Sequence, residues 1–376
     1  MGSLLLFNPE NDSALACGSE FYTAPANALL LREAGAMLPF WYGNEGDLVI
    51  APSISRQWIE RIKSDFDIKP DFYAKDSSVY DDVTTWGWSN AVYHQLLDFG
   101  INKDKLPSKE TLQHIRELSH RRLTIKVYEN LKAKLDIKMP ETPIEAFTLD
   151  EVENYIDTHE SCYIKSPWSS SGRGVVGSYI ASKTELLRRS KGVIRRQGSI
   201  MCEVGLNKVK DFAMLFYSDG KTVEKIGYSD FFIEKDTAYS GNILANDEII
   251  ENNLTKYVSR QYLIDIASAL ETIYTELIAP HYKGYFGTDM LIYEDNNQYA
   301  IAPCIEVNLR MTMGVVAWIW NNRYMATGVH GKLKIERGAI EESKLTYIVE
   351  NGKLKKGKIL LTPPNPHFSI LVETDY

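Results

Sequence analysis

The sequence predicts a protein of mixed α/β and α+β class, with a small N-terminal α/β unit ahead of a larger region of strands and hairpins. Three observations carry this. The first part of the chain alternates short apolar strands with helices, the pattern of a parallel sheet. The middle holds two strands joined by a glycine-rich loop that starts at Pro167 and ends at Gly174. Further on, Gly287-Thr288-Asp289-Met290-Leu291-Ile292-Tyr293 and Cys304-Ile305-Glu306-Val307-Asn308-Leu309-Arg310 read as two strands flanking a turn at Asp295-Asn296-Asn297-Gln298.

The bulk properties narrow the class. A chain of 376 residues that is 44% hydrophobic can bury a large core and form two or three structural units. Its net charge of −8 disfavours nucleic acid, because a duplex-binding protein usually shows a basic face. The basic pairs Arg121-Arg122, Arg188-Arg189 and Arg195-Arg196 are short. No apolar run approaches the roughly 20 residues of a membrane span. Residues 2–7 are too short and uncharged for a signal peptide. The four cysteines include no CxxC pair, and a reducing cytoplasm is the expected compartment.

The elements follow in order. Residues 3–7 form an apolar strand that runs into Asn8-Pro9-Glu10-Asn11-Asp12-Ser13. That polar loop either caps a following helix or contacts a ligand, since open α/β sheets bind ligands outside the carboxyl ends of their strands. Residues 24–34 read as a helix and 48–51 as a strand. Trp86-Gly87-Trp88-Ser89 opens a helix over 90–99, and helices follow over 107–118 and 123–135. A strand over 161–165 ends in Lys165, a second strand covers 175–181, and a helix covers 183–190. Strands are expected at 199–203, 209–217 and 222–228. Residues 255–278 place Val258, Leu263, Ile266, Leu270, Ile273 and Leu277 near helical spacing, and Pro280 ends the run. A buried helix over 314–321 and tail strands near 345–349, 358–361 and 368–372 complete the chain.

The hairpin carries the chemistry. A strand puts alternate side chains on one face, so Glu306, Asn308 and Arg310 align while Ile305, Val307 and Leu309 face a core. Asp289 interrupts an otherwise apolar run on the other strand. Carboxylate and amide oxygens grouped in this way suit a Mg²⁺ ion that also takes substrate phosphates. The adjacent arginine suits a transferring phosphoryl group or an oxyanion. A solvated strand face is the plain alternative.

Other motifs mislead. Gly172-Arg173-Gly174-Val175-Val176-Gly177 matches GxGxxG, but a dinucleotide fold needs a helix after the glycines and here a strand follows. Asp98-Phe99-Gly100 spells DFG, yet in a kinase it follows the glycine loop and here it precedes it. The histidines form no HExxH pattern, so a zinc site is not expected.

Taken in order, Lys165 at a strand end, the loop Ser169-Ser170-Ser171-Gly172-Arg173-Gly174, the strand exit Glu203-Val204-Gly205-Leu206 and the acidic hairpin resemble the ATP-grasp superfamily of ATP-dependent ligases. The resemblance spans residues 119–322. It implies a pre-ATP-grasp-like substrate domain over 1–118, an ATP-grasp N-terminal subdomain over 119–206 and a C-terminal subdomain over 207–376. It further implies ATP and Mg²⁺ (or Mn²⁺) as cofactors. Lys165 would contact phosphates, and Ser169, Ser170, Ser171, Gly172, Arg173 and Gly174 would close over them. Glu203, Val204 and Leu206 would form the adenine hinge, with Asp211 a candidate for the ribose. Asp289, Glu306 and Asn308 would hold the metal, and Arg310 would steady the phosphoryl group or tetrahedral intermediate. The superfamily's first phosphate-binding basic residue falls on Arg121 or Arg122. The implied reaction joins a small-molecule carboxylate to an amine through an acylphosphate. A small-molecule kinase and a nucleotide-binding regulator are the alternatives, and a homodimer is a common assembly of the superfamily. The substrate pocket is expected from residues 8–13, 86–89 and 228–242.

Overall fold

The computed structural model describes residues 2–51, 55–75, 79–169, 174–233 and 239–375. Four sheets organise the described residues. The first is built from β1 (Ser3–Leu6), β2 (Leu48–Val49), β3 (Asp71–Phe72) and β4 (Asp82–Thr85), all parallel, in the order β3-β2-β1-β4. Its helices are α1 (Asn11–Cys17), α2 (Ala26–Gly35), α3 (Pro39–Tyr42), α4 (Arg56–Asp65) and α5 (Asn90–Phe99). The chain winds outward from β1 to β3 and returns to the other side of β1 as β4. The crevice between the ends of β1 and β4 is therefore the switch point of this sheet. Ser89 caps α5 by accepting from the Val92 amide, and Gly100 closes it at φ 95°, so the DFG triplet is a helix terminus.

Two helices, α6 (Lys109–Leu118) and α7 (Leu123–Lys134), lead into the second sheet. It comprises β5 (Ile144–Ala146), β6 (Cys162–Lys165), β7 (Val175–Gly177) and β8 (Ile200–Val204), antiparallel in the order β5-β8-β6-β7. Helices α8 (Leu149–Thr158) and α9 (Lys183–Gln197) cover one face, where Ile164, Cys202, Leu186 and Val193 pack together. The glycine-rich loop joins β6 to β7, so its context is strand, loop, strand. The second strand is shorter than expected: it ends at Gly177 and a turn follows. The helix is longer than expected, running through Gly192 to a stop at Gly198 with φ 88°.

The central sheet is antiparallel, in the order β10-β9-β13-β14, from β9 (Asn207–Ser218), β10 (Val223–Ser229), β13 (Gly284–Asp295) and β14 (Gln298–Asn308). Between β10 and β13 lie β11 (Phe231–Ile233), β12 (Tyr239–Leu244), α10 (Asp247–Leu254) and α11 (Arg260–Leu277). The single helix expected over 255–278 instead begins at Arg260. Its N-cap is Ser259, which accepts from the Tyr262 amide, and residues before it belong to a turn after α10. Phe212, Met214, Phe216, Phe286, Met290 and Ile292 point from the sheet onto α11 and α7 in the largest core.

The last sheet, β11-β12-β15-β18-β17-β16, adds β15 (Gly331–Arg337), β16 (Tyr347–Glu350), β17 (Lys353–Leu360) and β18 (Phe368–Thr374), with α12 (Met313–Tyr324) before it. The segment Tyr239-Ser240-Gly241-Asn242 expected in a substrate loop is thus the start of strand β12, paired with β15. Gly241 lies there against Leu333 backbone, where an added Cβ would come within 2.2 Å of the carbonyl oxygen. One aromatic core joins the two ends of the chain: Trp41 and Phe66 pack on Trp320 and Tyr324. Among the described residues no helix is long and apolar enough to cross a membrane.

Candidate functional site

The hairpin β13–β14 sets the centre of the site. Its turn places Asn296 and Asn297 at φ 54° and 61°, the paired left-handed residues that match a two-residue hairpin turn to strand twist. The resulting register puts Asp289 opposite Glu306 and Gly287 opposite Asn308. Asn308 Nδ2 donates to Asp289 Oδ2 at 3.1 Å. Burial first, and then the Glu306 carboxylate, push the Asp289 carboxyl up to about 7. Val307 and Leu309 turn the other way into the main core, as the alternation requires.

Two arginines reach this face, Arg121 through Glu306 and Arg310 through Asn308. Arg121 lies between α6 and α7, anchored by its amide, which donates to the Pro167 carbonyl at 3.1 Å. Its guanidinium donates to Glu306 Oε2 at 2.6 Å and to Ser169 Oγ at 2.7 Å, and also to the Ser166 carbonyl. Arg122 instead is half exposed, pairs with Glu145 at 2.9 Å and bonds the ring of His120. The basic pair is thus divided, and Arg121 is the member bonded to Glu306 and Ser169. Buried His120 is held down at about 3 by burial and by the surrounding arginines, so it is neutral there. Lys165, at the end of β6, forms a buried ion pair with Glu203 on β8.

Gly174 closes the far side of the loop, its carbonyl accepting from the Ser166 amide at 2.8 Å. A Cβ on Gly174 would stand 2.4 Å from Ser169 Oγ, so close approach requires glycine here. Ser170, Ser171, Gly172 and Arg173 lie outside the described residues.

Lys165, Glu203, Val204, Leu206 and Asp211 line one cleft of about 150 Å³. The sequence reading missed its other walls: Tyr128 from α7, Pro140 and Pro143 from the connector, Tyr163 from β6, and Leu291 and Ile305 from the hairpin. The signal for the last two was present, since they precede or follow a site residue on the same strands. Lys208 Nζ holds Asp211 at 2.9 Å.

Arg310 sits two residues beyond the end of β14. Its guanidinium donates to Asn308 Oδ1 at 3.0 Å and to the Met311 carbonyl at 3.2 Å. Its strongest partner is Asp12, at 2.7–3.0 Å, on the first turn of α1. Burial works against the charged guanidinium, but Asp12, together with Glu306 and Asp289, more than offsets it and holds the group above its ordinary value. Asp12 therefore ties the loop after β1 to the end of β14. At the switch point, Asn8 Nδ2 donates to the Gly87 carbonyl at 2.8 Å and Asn8 Oδ1 accepts from the Gly87 amide at 3.3 Å. The Met311 amide donates to the Trp86 carbonyl at 2.8 Å. The expected pocket segments 8–13 and 86–89 thus meet each other and Arg310.

The donor set fits Mg²⁺. It is all oxygen, and two adjacent carboxylates hold one of them near neutrality until a cation relieves it. Among the described residues no three His, Cys, Asp or Glu side chains group to hold an ion, and the two carboxylates and one amide here would fill only part of a Mg²⁺ shell. Mg²⁺ bound by few protein ligands completes its shell with water and phosphate oxygens.

No protein-family model matches the chain. No curated protein matches it. Solved structures do. Biotin carboxylase from Campylobacter jejuni, in complex with β,γ-ATP, is 11% identical with a TM-score of 0.53, covering 100% of this chain and 88% of that one. The biotin carboxylase domain dimer of 2-oxoglutarate carboxylase from Hydrogenobacter thermophilus, with MgADP, ADP and bicarbonate, is 12% identical with a TM-score of 0.51, covering 100% and 86%. Pyruvate carboxylase from Rhizobium etli is 13% identical with a TM-score of 0.52, covering 100% of this chain and 36% of that one. At such identities the likeness establishes architecture, and the architecture of this chain is the ATP-grasp fold.

Proposed function

We propose that the protein is an ATP- and Mg²⁺-dependent ligase that activates a small-molecule carboxylate and joins it to an amine. The observation that carries this is the hairpin of Asp289, Glu306 and Asn308, bonded by Arg121 and Arg310, next to a cleft that Ile305 shares with Lys165 and Glu203 in an ATP-grasp fold. The fold neighbours support it, since their structures hold ATP or MgADP.

On this reading Asp289, Glu306 and Asn308 hold the metal, which when bound neutralises phosphate charge. Lys165 and Arg121 counter the remaining phosphate charge, each now paired with a carboxylate that phosphate oxygens would replace. Ser169 and the loop to Gly174 cover the phosphates, and Glu203, Val204 and Leu206 meet the base. The substrate carboxylate attacks the γ-phosphorus, giving an acylphosphate and ADP. The amine then attacks the acyl carbon, a proton leaves the nitrogen, and phosphate departs. Arg310, fixed by Asp12, faces the charge that develops on the acyl oxygen. Asn8, Asn11 and the segment after β4 shape the carboxylate pocket.

Replacement Glu306→Gln tests the assignment. ADP release is expected to fall by roughly 100-fold or more with the thermal midpoint nearly kept. A variant that turns over at the wild-type rate contradicts it. Analysis of products for an amide plus phosphate distinguishes ligation from plain phosphorylation.

A further inference from the structure

A cleft of about 560 Å³ shares no lining residue with the nucleotide cleft. It lies between the first sheet and the start of β13. We propose that it is a binding site for an aliphatic amine, a small organic cation with several N–H donors.

Three observations converge. The first is the wall formed by β4. Asp82, Val83, Thr84 and Thr85 all line the cleft, although side chains alternate along a strand. Four consecutive residues can do so only if the cleft faces the strand's edge, and β4 is an edge strand of its sheet. Outer backbone carbonyls of β4 are therefore available as acceptors.

The second is unmet hydrogen-bonding capacity. Thr85 is 8% exposed, and its Oγ1 has no partner. Asp82 Oδ1 is buried without a partner too, while Asp82 Oδ2 stands 4.0 Å from Lys283 Nζ. A carboxylate oxygen can only accept, so Asp82 calls for a donor. Buried polar atoms are normally satisfied, and an orphan in a cleft wall points to a ligand or water.

The third is charge. The carboxylates of Asp47, Asp81, Asp82 and Asp104 outnumber the ammonium groups of Lys105 and Lys283 around the cleft. Tyr217 and Tyr285, with ring centroids 4.9 Å apart, add aromatic surface that attracts cations. The wall thus offers negative charge, acceptors and ring faces, which suit a chain of methylenes ending in ammonium groups. The site stands on this cleft alone and does not depend on the ligase reading.

Calorimetric titration of butylamine, putrescine and spermidine into the full-length protein tests it, with citrate as the charge control. Wild type is expected to bind at least one amine, tightening with amine count, and not citrate. Asp82→Asn and the isosteric Thr85→Val are each expected to weaken that binding at least tenfold. Circular dichroism reports that both variants fold, and a parallel titration with Mg·ADP, expected to be unchanged in both, separates this site from the nucleotide cleft. Absence of amine binding to folded wild type, or binding that both variants leave intact, overturns the proposal.

Discussion

Asp289 is the residue whose environment makes the clearest demand. Burial and the facing Glu306 raise its carboxyl to about 7 from an ordinary 3.8. A carboxyl raised by folding contributes stability that is complete below the unfolded value and is lost as pH climbs through the folded one. The metal-free protein is expected to lose stability between roughly pH 4 and pH 7 on this account. Asp289→Asn should flatten that stretch of the profile, read as denaturation midpoint against pH. An unchanged slope in the variant would place the titration elsewhere. The other site residues were readable for a local reason. Glu306 and Asn308 stand out because their strand is apolar on its other face, and Lys165 because it ends one. Asp12 could be named only as part of a candidate loop, since its partner Arg310 lies 298 positions away and no spacing rule connects them. The choice between Arg121 and Arg122 was closed for the same reason: neighbours in sequence, they diverge only through contacts with Glu306 and Glu145.

Elements with strong local signals were the legible ones. The helix over 90–99 is bounded by Ser89 and Gly100, and the structure keeps those bounds. The turn Asn296-Asn297 fixed the hairpin. Strand β4 escaped notice because Asp-Val-Thr-Thr has one apolar aliphatic residue, and parallel partners rather than its own pattern make it a strand. Helix α8 was missed although Thr148 and Glu151 form a capping box there. Helix α9 ran past its expected end because Gly192 did not break it. A Cβ at that position would meet only the flexible end of Arg196, at 3.3 Å. Gly192→Ala is therefore expected to stabilise the protein by about 0.5–1 kcal/mol, through higher helix propensity and a less free unfolded chain. A lowered melting midpoint would show that the guanidinium cannot yield.

At the scale of the molecule, the two ends of the sequence share one core. Trp41 donates from Nε1 to the Leu361 carbonyl at 2.5 Å, and Trp320, fully buried, packs against Trp41, Phe66 and Tyr324. Sequence periodicity cannot see such a core, because its members lie on elements far apart in the chain. Trp320→Ala should cost about 3–5 kcal/mol in urea unfolding. A loss under about 1 kcal/mol would mean that the two ends stabilise separately. The same whole-chain arrangement brings Arg121, from the connection between α6 and α7, onto Glu306 of the central sheet, and sets Lys165 of the second sheet in a cleft that Ile305 of the hairpin also lines. The central claim is that this cleft holds Mg·ATP. Calorimetric titration of Mg·ATP into wild type and into Lys165→Ala tests it most directly, with circular dichroism confirming that both are folded. Wild type is expected to bind, and the substitution to weaken binding by roughly 10- to 100-fold, the loss of a charge-assisted contact worth about 1.5–3 kcal/mol. A folded wild type that does not bind Mg·ATP, or a variant that binds it equally well, would contradict the account.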